Sequence, residues 1–394
     1  MNSGRIKSKI FLVCVAFFLI ILFCDFKIID NYFGIFILKK KDGLGFEIKN
    51  DIYPDDVKNV VFSIDMENFF EHIGVDKLFS SLNSFPKLDY VWDEINGRGV
   101  IKNFLDNNKK IYITFSRFRD DNGFVPKGLF IGGGLPKSLG NEIPEKLNDT
   151  GMAYYDGKHW YHIWCSVNEG LSVGYDYSLR IPPSLWRFNG SRILKDNDNE
   201  LVIKSMHEVP INNSILKIDR YAFFKAGEPY FILVTKFKNL GHEPIDFMYV
   251  YGDEPWIGEY GSSSGDVGWV KDGLILHEGA IDINKYDFLG FYDIGNEYAG
   301  EKLGYSGIAN FIQWLDEESK PNLAYFSNEV GRFSEKKLVP LSSRDNRNLS
   351  IEWGPKKLLP DEEFTLSLAI GMVLNYEFNH PVKPDIKINK NAFF

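Results

Sequence analysis

Alternation of apolar and polar positions dominates the chain from about Tyr154 onward. Phe364, Leu366, Leu368, Ile370 and Met372 alternate with Thr365, Ser367, Ala369 and Gly371. A period of two predicts a strand with one face in a core. Leu349, Ile351 and Trp353 alternate in the same way with Asn348, Ser350 and Glu352, and Ile245, Phe247, Tyr249 and Tyr251 form a third series. The apolar run Pro229 to Phe237, the turn residues Asn239-Leu240-Gly241 and the Ile245 series together predict an antiparallel hairpin. Short strands with Gly, Pro, Asn and Asp turns continue to the end, and no long helical pattern intervenes. The expected fold class is mainly β, a large antiparallel β-sandwich.

Earlier in the chain the pattern is mixed. Val57 to Ile64 predicts a strand. Met66, Phe69, Phe70 and Ile73 share one helical face, so Met66 to Leu82 predicts a helix. A second helix is expected over Val91 to Leu105, interrupted by Gly97 and Gly99, before a strand over Ile111 to Phe118. Residues 39–56, with Lys39-Lys40-Lys41, Gly43, Gly45 and Pro54, read as a linker. At the start, Arg5, Lys7 and Lys9 precede an uncharged run from Ile10 to Cys24. A basic flank before an apolar run is the pattern of a secretory signal or an uncleaved signal anchor. No small-x-small cleavage site follows, so one N-terminal transmembrane signal-anchor helix is expected, with the rest facing the periplasm or cell exterior. The expected organisation is a cytoplasmic tip and anchor over 1–38, a linker over 39–56, a small mixed α/β region over 57–153 and a β-sandwich over 154–394.

Charge and composition narrow the partners. The formal net charge is −9, which disfavours nucleic acid. Only Cys165 lies outside the apolar run, so no intrachain disulfide is expected beyond it. Stability must then come from a core that the 15% aromatic content can supply.

The densest chemistry lies in Tyr251-Gly252-Asp253-Glu254-Pro255-Trp256-Ile257-Gly258-Glu259, continuing to Asp266 and Trp269. A sugar needs a flat apolar face against its C–H bonds and carboxylates to accept its hydroxyl hydrogens. Trp256 and Trp269 are candidates for stacking, and Asp253, Glu259 and Asp266 for accepting hydroxyls. Glu254 and His207 are the candidate acid–base groups. The same segment also reads as a Gly-rich loop plugging a sandwich end. Its Gly261-Ser262-Ser263-Ser264-Gly265 matches the nucleophile-elbow spacing without the helix that an elbow requires. His159 and His162 have metal-like spacing, but a strand would point them to opposite faces. No cofactor is expected. For calcium, Asp282, Asp287, Asp293 and Glu297, with Asn296, are donors of the right type, although their spacing fits no calcium loop and also suits turns.

The strand ending in Lys238-Asn239-Leu240-Gly241, and the Leu359-Pro360-Asp361-Glu362-Glu363 turn leading into a long alternating strand, resemble the large β-supersandwiches of galactose-mutarotase-like proteins. The resemblance covers about residues 155 to 375. It implies a supersandwich fold and sugar chemistry in which a histidine acid and a carboxylate base interconvert anomers, with His207 and Glu254 as the positions to test. The expected function is therefore a membrane-anchored extracytoplasmic protein that binds or modifies carbohydrate of the envelope or surroundings. The alternative is a non-catalytic envelope scaffold with a protein partner.

Overall fold

Antiparallel pairing joins every described strand to its neighbours. The computed structural model describes residues 35–40, 43–48, 86–116, 124–133, 150–165, 167–173, 180–258, 266–294, 306–328, 339–341, 347–378 and 380–386. The expected anchor over Ile10 to Cys24, the strand Val57 to Ile64 and the helix Met66 to Leu82 lie outside these residues. Among the described residues no helix is long and apolar enough to cross a membrane.

The chain divides into two units, Met1–Asn83 and Ser84–Phe394. The first contains a hairpin of β1 (Ile35–Lys40) and β2 (Gly43–Ile48). Paired strands therefore occupy the start of the stretch that reads as a linker.

The second unit begins with β3 (Lys87–Asp93), β4 (Arg98–Phe104), β5 (Lys110–Phe115), β6 (Met152–Tyr155) and β7 (Trp160–Trp164), a five-stranded meander. Next come β8 (Val167–Val173), β9 (Arg180–Ile181) and a 3-10 turn at Pro183–Leu185. β10 (Arg187–Asp196), β11 (Glu200–Ile211), β12 (Ser214–Lys225), β13 (Tyr230–Asn239), β14 (Ile245–Asp253), β15 (Asp266–Val270), β16 (Gly273–Ile275) and β17 (Gly279–Ala280) follow. The chain continues through β18 (Phe288–Asp293), β19 (Asn310–Trp314), β20 (Leu323–Ser327), β21 (Asn348–Leu358), β22 (Glu363–Met372), β23 (Asn375–Glu377) and β24 (His380–Val382). A nine-stranded sheet has the order β10-β11-β12-β13-β22-β19-β18-β15-β16, and a six-stranded sheet the order β17-β20-β21-β14-β8-β9. The fold is mostly β and sandwich-like.

Three expectations change. Val91 to Leu105 is a hairpin rather than a helix. Asp93 Oδ1 accepts the N–H groups of Ile95 and Asn96 at 3.1 Å, and Gly97 turns the chain at φ +61°. That side-chain-capped turn uses Gly97, the residue that weakens a helix, to reverse direction. The predicted division at 153/154 falls inside β6, which pairs with both β5 and β7. Among the described residues the meander shares the sandwich core, with Phe115 of β5 packed against Phe224 and Phe231 of the nine-stranded sheet at 6.0 and 5.8 Å.

The third concerns the predicted hairpin of the Pro229 and Ile245 series. β13 pairs with β12 and β22, whereas β14 pairs with β8 and β21, so the chain crosses between sheets at residues 240–244. Both strands carry an apolar face, and the two faces meet across the core, with Phe237 5.5 Å from Phe247 and 5.1 Å from Tyr249. A second crossing joins β21 to β22. Asn239 ties the corners together: its amide nitrogen donates to Glu243 O at 2.8 Å and Leu358 O at 3.0 Å, and its backbone oxygen accepts from Asp361 N–H.

Candidate functional site

The residues singled out in the 251–269 segment divide by depth. Asp253, at the end of β14, is fully buried, and among the described residues no side chain hydrogen-bonds its carboxyl oxygens. Burial pushes its pKa well above the ordinary value; the Cys165 backbone opposes this and Glu254 adds to it. Asp266 is also fully buried and stands opposite Asp293 in the β15–β18 register. Burial, then the Asp293 charge, raise its pKa, while Arg347 and the Ile257 N–H oppose. Trp269 is wholly enclosed, packed 4.8 Å from Phe288, with its indole N–H donating to Asn310 O at 2.8 Å. Side chains this enclosed present no face or acceptor to a sugar, so these three are interior groups rather than ligand contacts. Glu259 lies outside the described residues.

Two candidates stay near the surface. The half-buried Trp256 donates its indole N–H to Glu254 Oε1 at 3.2 Å and its backbone N–H to Cys165 Sγ at 3.4 Å. Burial raises the Glu254 pKa against the opposing indole bond. The proposed acid–base partner is elsewhere. His207 is buried among Phe130, Phe188 and Trp186 at 5.3, 5.4 and 5.9 Å, and shares no interaction with Glu254. Desolvation there lowers its pKa to about 3, despite the opposing Lys127 carbonyl at 2.7 Å. It is a neutral imidazole packed in a core. Sequence alone could not show this, because the rings around it come from separate segments.

Next to His207, Arg220 forms a buried ion pair with Glu169. It also donates to Leu129 O at 2.8 Å and lies 4.2 Å from the Phe130 ring centroid. The Tyr249 hydroxyl donates to the same carboxylate. This network ties the two large sheets together.

The metal expectations find no common centre. Asp282 caps Asn284 N–H at 2.9 Å and Asp287 accepts from Gln313 at 2.7 Å, while Asp293 binds Ser306; Asn296 and Glu297 lie outside the described residues. Among the described residues no three His, Cys, Asp or Glu side chains gather as a metal site. His159 is exposed, whereas His162 is buried against Thr150.

The 251–269 segment nevertheless leads to an open site. Gly258 exchanges backbone hydrogen bonds with His162 at 2.9 and 3.0 Å. Its φ of +91° favours glycine, and a Cβ there would lie 2.5 Å from Ser306 Oγ and 2.6 Å from Asp293 Oδ2. Ser306 donates both its N–H, at 3.0 Å, and its hydroxyl to Asp293 Oδ2. On its other side Ser306 walls a cleft of about 410 Å³, lined also by Tyr154, Asp156, Tyr161, Gly307, Ile308 and Tyr376.

The cleft pairs flat rings with an anion. Tyr154 and Tyr161 stack at 6.2 Å and 25°, and Tyr376 stacks on Tyr292 at 6.1 Å and 29°. Asp156 Oδ1 accepts the Lys158 and His159 N–H groups, each at 2.7 Å, and Oδ2 accepts the Tyr161 hydroxyl at 3.2 Å. Burial works to raise the Asp156 pKa, but these N–H donors and the hydroxyl outweigh it, so the carboxylate sits below its ordinary range. Tyr154 is pushed up to about 12, first by burial and then by the Asp156 charge. At neutral pH the cleft thus presents one carboxylate and protonated Tyr154.

Sequence reasoning missed these residues. Asp156-Gly157 between two aromatic strands is a legible hairpin turn. Ser306 and Tyr376 join it only through sheet topology, with no local signal.

No family model matches the sequence, and no curated protein matches it. The expected weak resemblance to galactose-mutarotase-like proteins is present among solved structures. The chain is similar to a candidate aldose 1-epimerase from Klebsiella pneumoniae at 11% identity, over 77% of this chain and 86% of that one, with a TM-score of 0.39. A galactose mutarotase-like protein from Clostridium acetobutylicum matches at 10% identity, over 73% and 98%, with a TM-score of 0.37. A GH36 alpha-galactosidase from Geobacillus stearothermophilus matches at 10% identity, over 74% and 40%, with a TM-score of 0.31. Overlap at this level does not decide an activity.

Proposed function

We propose that this is an extracytoplasmic, membrane-anchored protein that binds carbohydrate in the Tyr154–Tyr161–Tyr376 cleft without turning it over. The observation that carries the binding is the pairing of tyrosine faces with the ionised Asp156 in one open cleft. The less buried rings, Tyr161 and Tyr376, take the C–H face of a pyranose, with buried Tyr154 backing Tyr161 from the core; the carboxylate accepts hydroxyl hydrogens, and Ser306 adds a polar wall. Binding is favoured over turnover because acid–base catalysis needs two groups with pKa values driven apart at the substrate. Asp156 is held ionised, whereas the carboxyls whose values burial raises, Asp253, Glu254 and Asp266, do not line its cleft. The location rests on Arg5, Lys7 and Lys9 ahead of the Ile10 to Cys24 run.

The test is a glycan array on the full-length chain, followed by calorimetry with Tyr376→Ala. Tyr376 is at the rim and about one-third exposed, so its truncation spares the core. Saturable binding that weakens about tenfold in the variant, as loss of one stacking face predicts, supports the reading. Wild-type binding that the substitution leaves unchanged would place the ligand elsewhere.

One observation favours a protein partner instead. Ile215, Leu240 and Leu359 are exposed at the sheet-crossing end, where Leu240 N–H bonds to Ile215 O at 2.8 Å. No glycan binding, together with capture of a protein lost on Leu240→Ser and Leu359→Ser, would select that reading.

A further inference from the structure

The tyrosine cleft shares Asp156 with a second cleft. On the other side of Asp156 lies a cleft of about 530 Å³, lined by Asp106, Asn107, Asn108, Lys109, Asp156, Gly157 and Lys158. The meander explains why they adjoin. β5 pairs with β6 with Lys110 opposite Tyr155, which brings the β4–β5 and β6–β7 turns side by side at one end of the sheet. The two turns touch: a Cβ on Gly157, at φ +103°, would lie 3.3 Å from Asn108 Cβ. Asp156 is built into this junction, because its Oδ1 closes the β6–β7 turn and its Oδ2 holds the Tyr161 hydroxyl of the tyrosine cleft.

The two sides differ in chemistry. The tyrosine side offers ring faces. The second side has no aromatic lining; it offers exposed Asn107 and Asn108 amides and the Lys109 and Lys158 ammonium groups. Among the described residues none of these four side chains makes a hydrogen bond or ion pair, although the Lys109 charge acts on Asp106 of the same cleft, so their polar ends can serve a ligand. One side therefore suits stacking and the other hydrogen bonding to hydroxyls. Each cleft falls in the size range of a small-molecule site.

We infer that the ligand is an extended oligosaccharide running across Asp156, with one sugar stacked on the tyrosines and the following sugars hydrogen-bonded over the Asn107–Lys109 and Lys158 turns. This rests on the carbohydrate reading and adds ligand length and direction to it. Affinity should then grow with chain length until both clefts are filled, since each added ring brings new contacts without a second cost of association.

The experiment is calorimetry of the full-length chain with cello-, malto- and chito-oligosaccharides, each from monomer to hexamer. In the series that binds, the dissociation constant should fall at least about tenfold from monomer to trimer. A triple variant, Asn107→Ala, Asn108→Ala and Lys158→Ala, should lose that gain while keeping monomer affinity within about twofold and an unchanged melting temperature. Tyr376→Ala should weaken every member of the series. A monomer that binds as tightly as the hexamer overturns the extended ligand and leaves the carbohydrate reading standing. A triple variant that retains the full length dependence also overturns the second cleft's role. No binding by any member of the three series counts against both.

Discussion

Asp253→Asn isolates the consequence of a carboxyl that burial desolvates more than the nearby Cys165 and Glu254 backbone can offset. Asp253 is fully buried, and burial holds its pKa well above the ordinary 3.8 against those backbone groups. Between those two values the folded state keeps a proton that the unfolded chain releases. Stability therefore falls as pH rises, by about 1.4 kcal/mol per pH unit for one proton, until the folded-state value is passed. Such a slope matters in a domain whose total stability is on the order of 5–15 kcal/mol. Asparagine has nearly the same shape and stays neutral throughout. Below pH 4 the two proteins should have nearly equal stability. Above it the variant should become progressively more stable than the wild type, with the same denaturant slope. Urea unfolding from pH 4 to pH 8 measures the difference directly, and shared titrations cancel. A difference constant across that range would show that the carboxyl ionises freely and that the reasoning is wrong.

Two further perturbations test the interior. His207 has the opposite sign: burial lowers its pKa from 6.5 to about 3, so the unfolded state binds the extra proton in that window and stability falls as pH drops. His207→Gln, which can still donate to the Lys127 carbonyl, should flatten that acid limb in an unfolding titration followed by tryptophan fluorescence; an unchanged limb would refute the assignment. Arg220→Met leaves the buried Glu169 carboxylate with Tyr249 but without its cation, and orphans the Leu129 carbonyl. A loss of about 3–5 kcal/mol is expected in urea unfolding, partly restored by adding Glu169→Gln, and a loss below about 1 kcal/mol would contradict it.

The legible parts of this fold are those governed by nearest neighbours. The Leu349, Ile245 and Phe364 series all form strands, and their alternation places Ile351, Tyr249 and Leu368 in the core. The misread parts turn on a local choice settled from outside. Val91 to Leu105 contains apolar spacing compatible with a helix, yet the Asp93–Gly97 turn and pairing with β5 make it a hairpin. Pro229 to Tyr251 holds two genuine strands that look like hairpin partners, although each finds its neighbours in a different sheet.

The candidate site shows the same division more sharply. The Asp253 to Trp269 segment has the residue types of a sugar site, and a sequence contains no measure of depth. Folding buries Asp253, Asp266 and Trp269, leaves Glu254 and Trp256 near the surface, and through Gly258 brings the segment against Ser306. The cleft itself is assembled from Tyr154, Asp156 and Tyr161 of one sheet, with Ser306 and Tyr376 more than 140 residues further along the chain. Periodicity and turn chemistry act over a few residues, so the chain alone marks the strongly alternating strands and where the chain turns. Sheet order is a competition among distant strands for the same backbone partners. Only that competition decides which side chains meet, which are cut off from water, and where a ligand can enter.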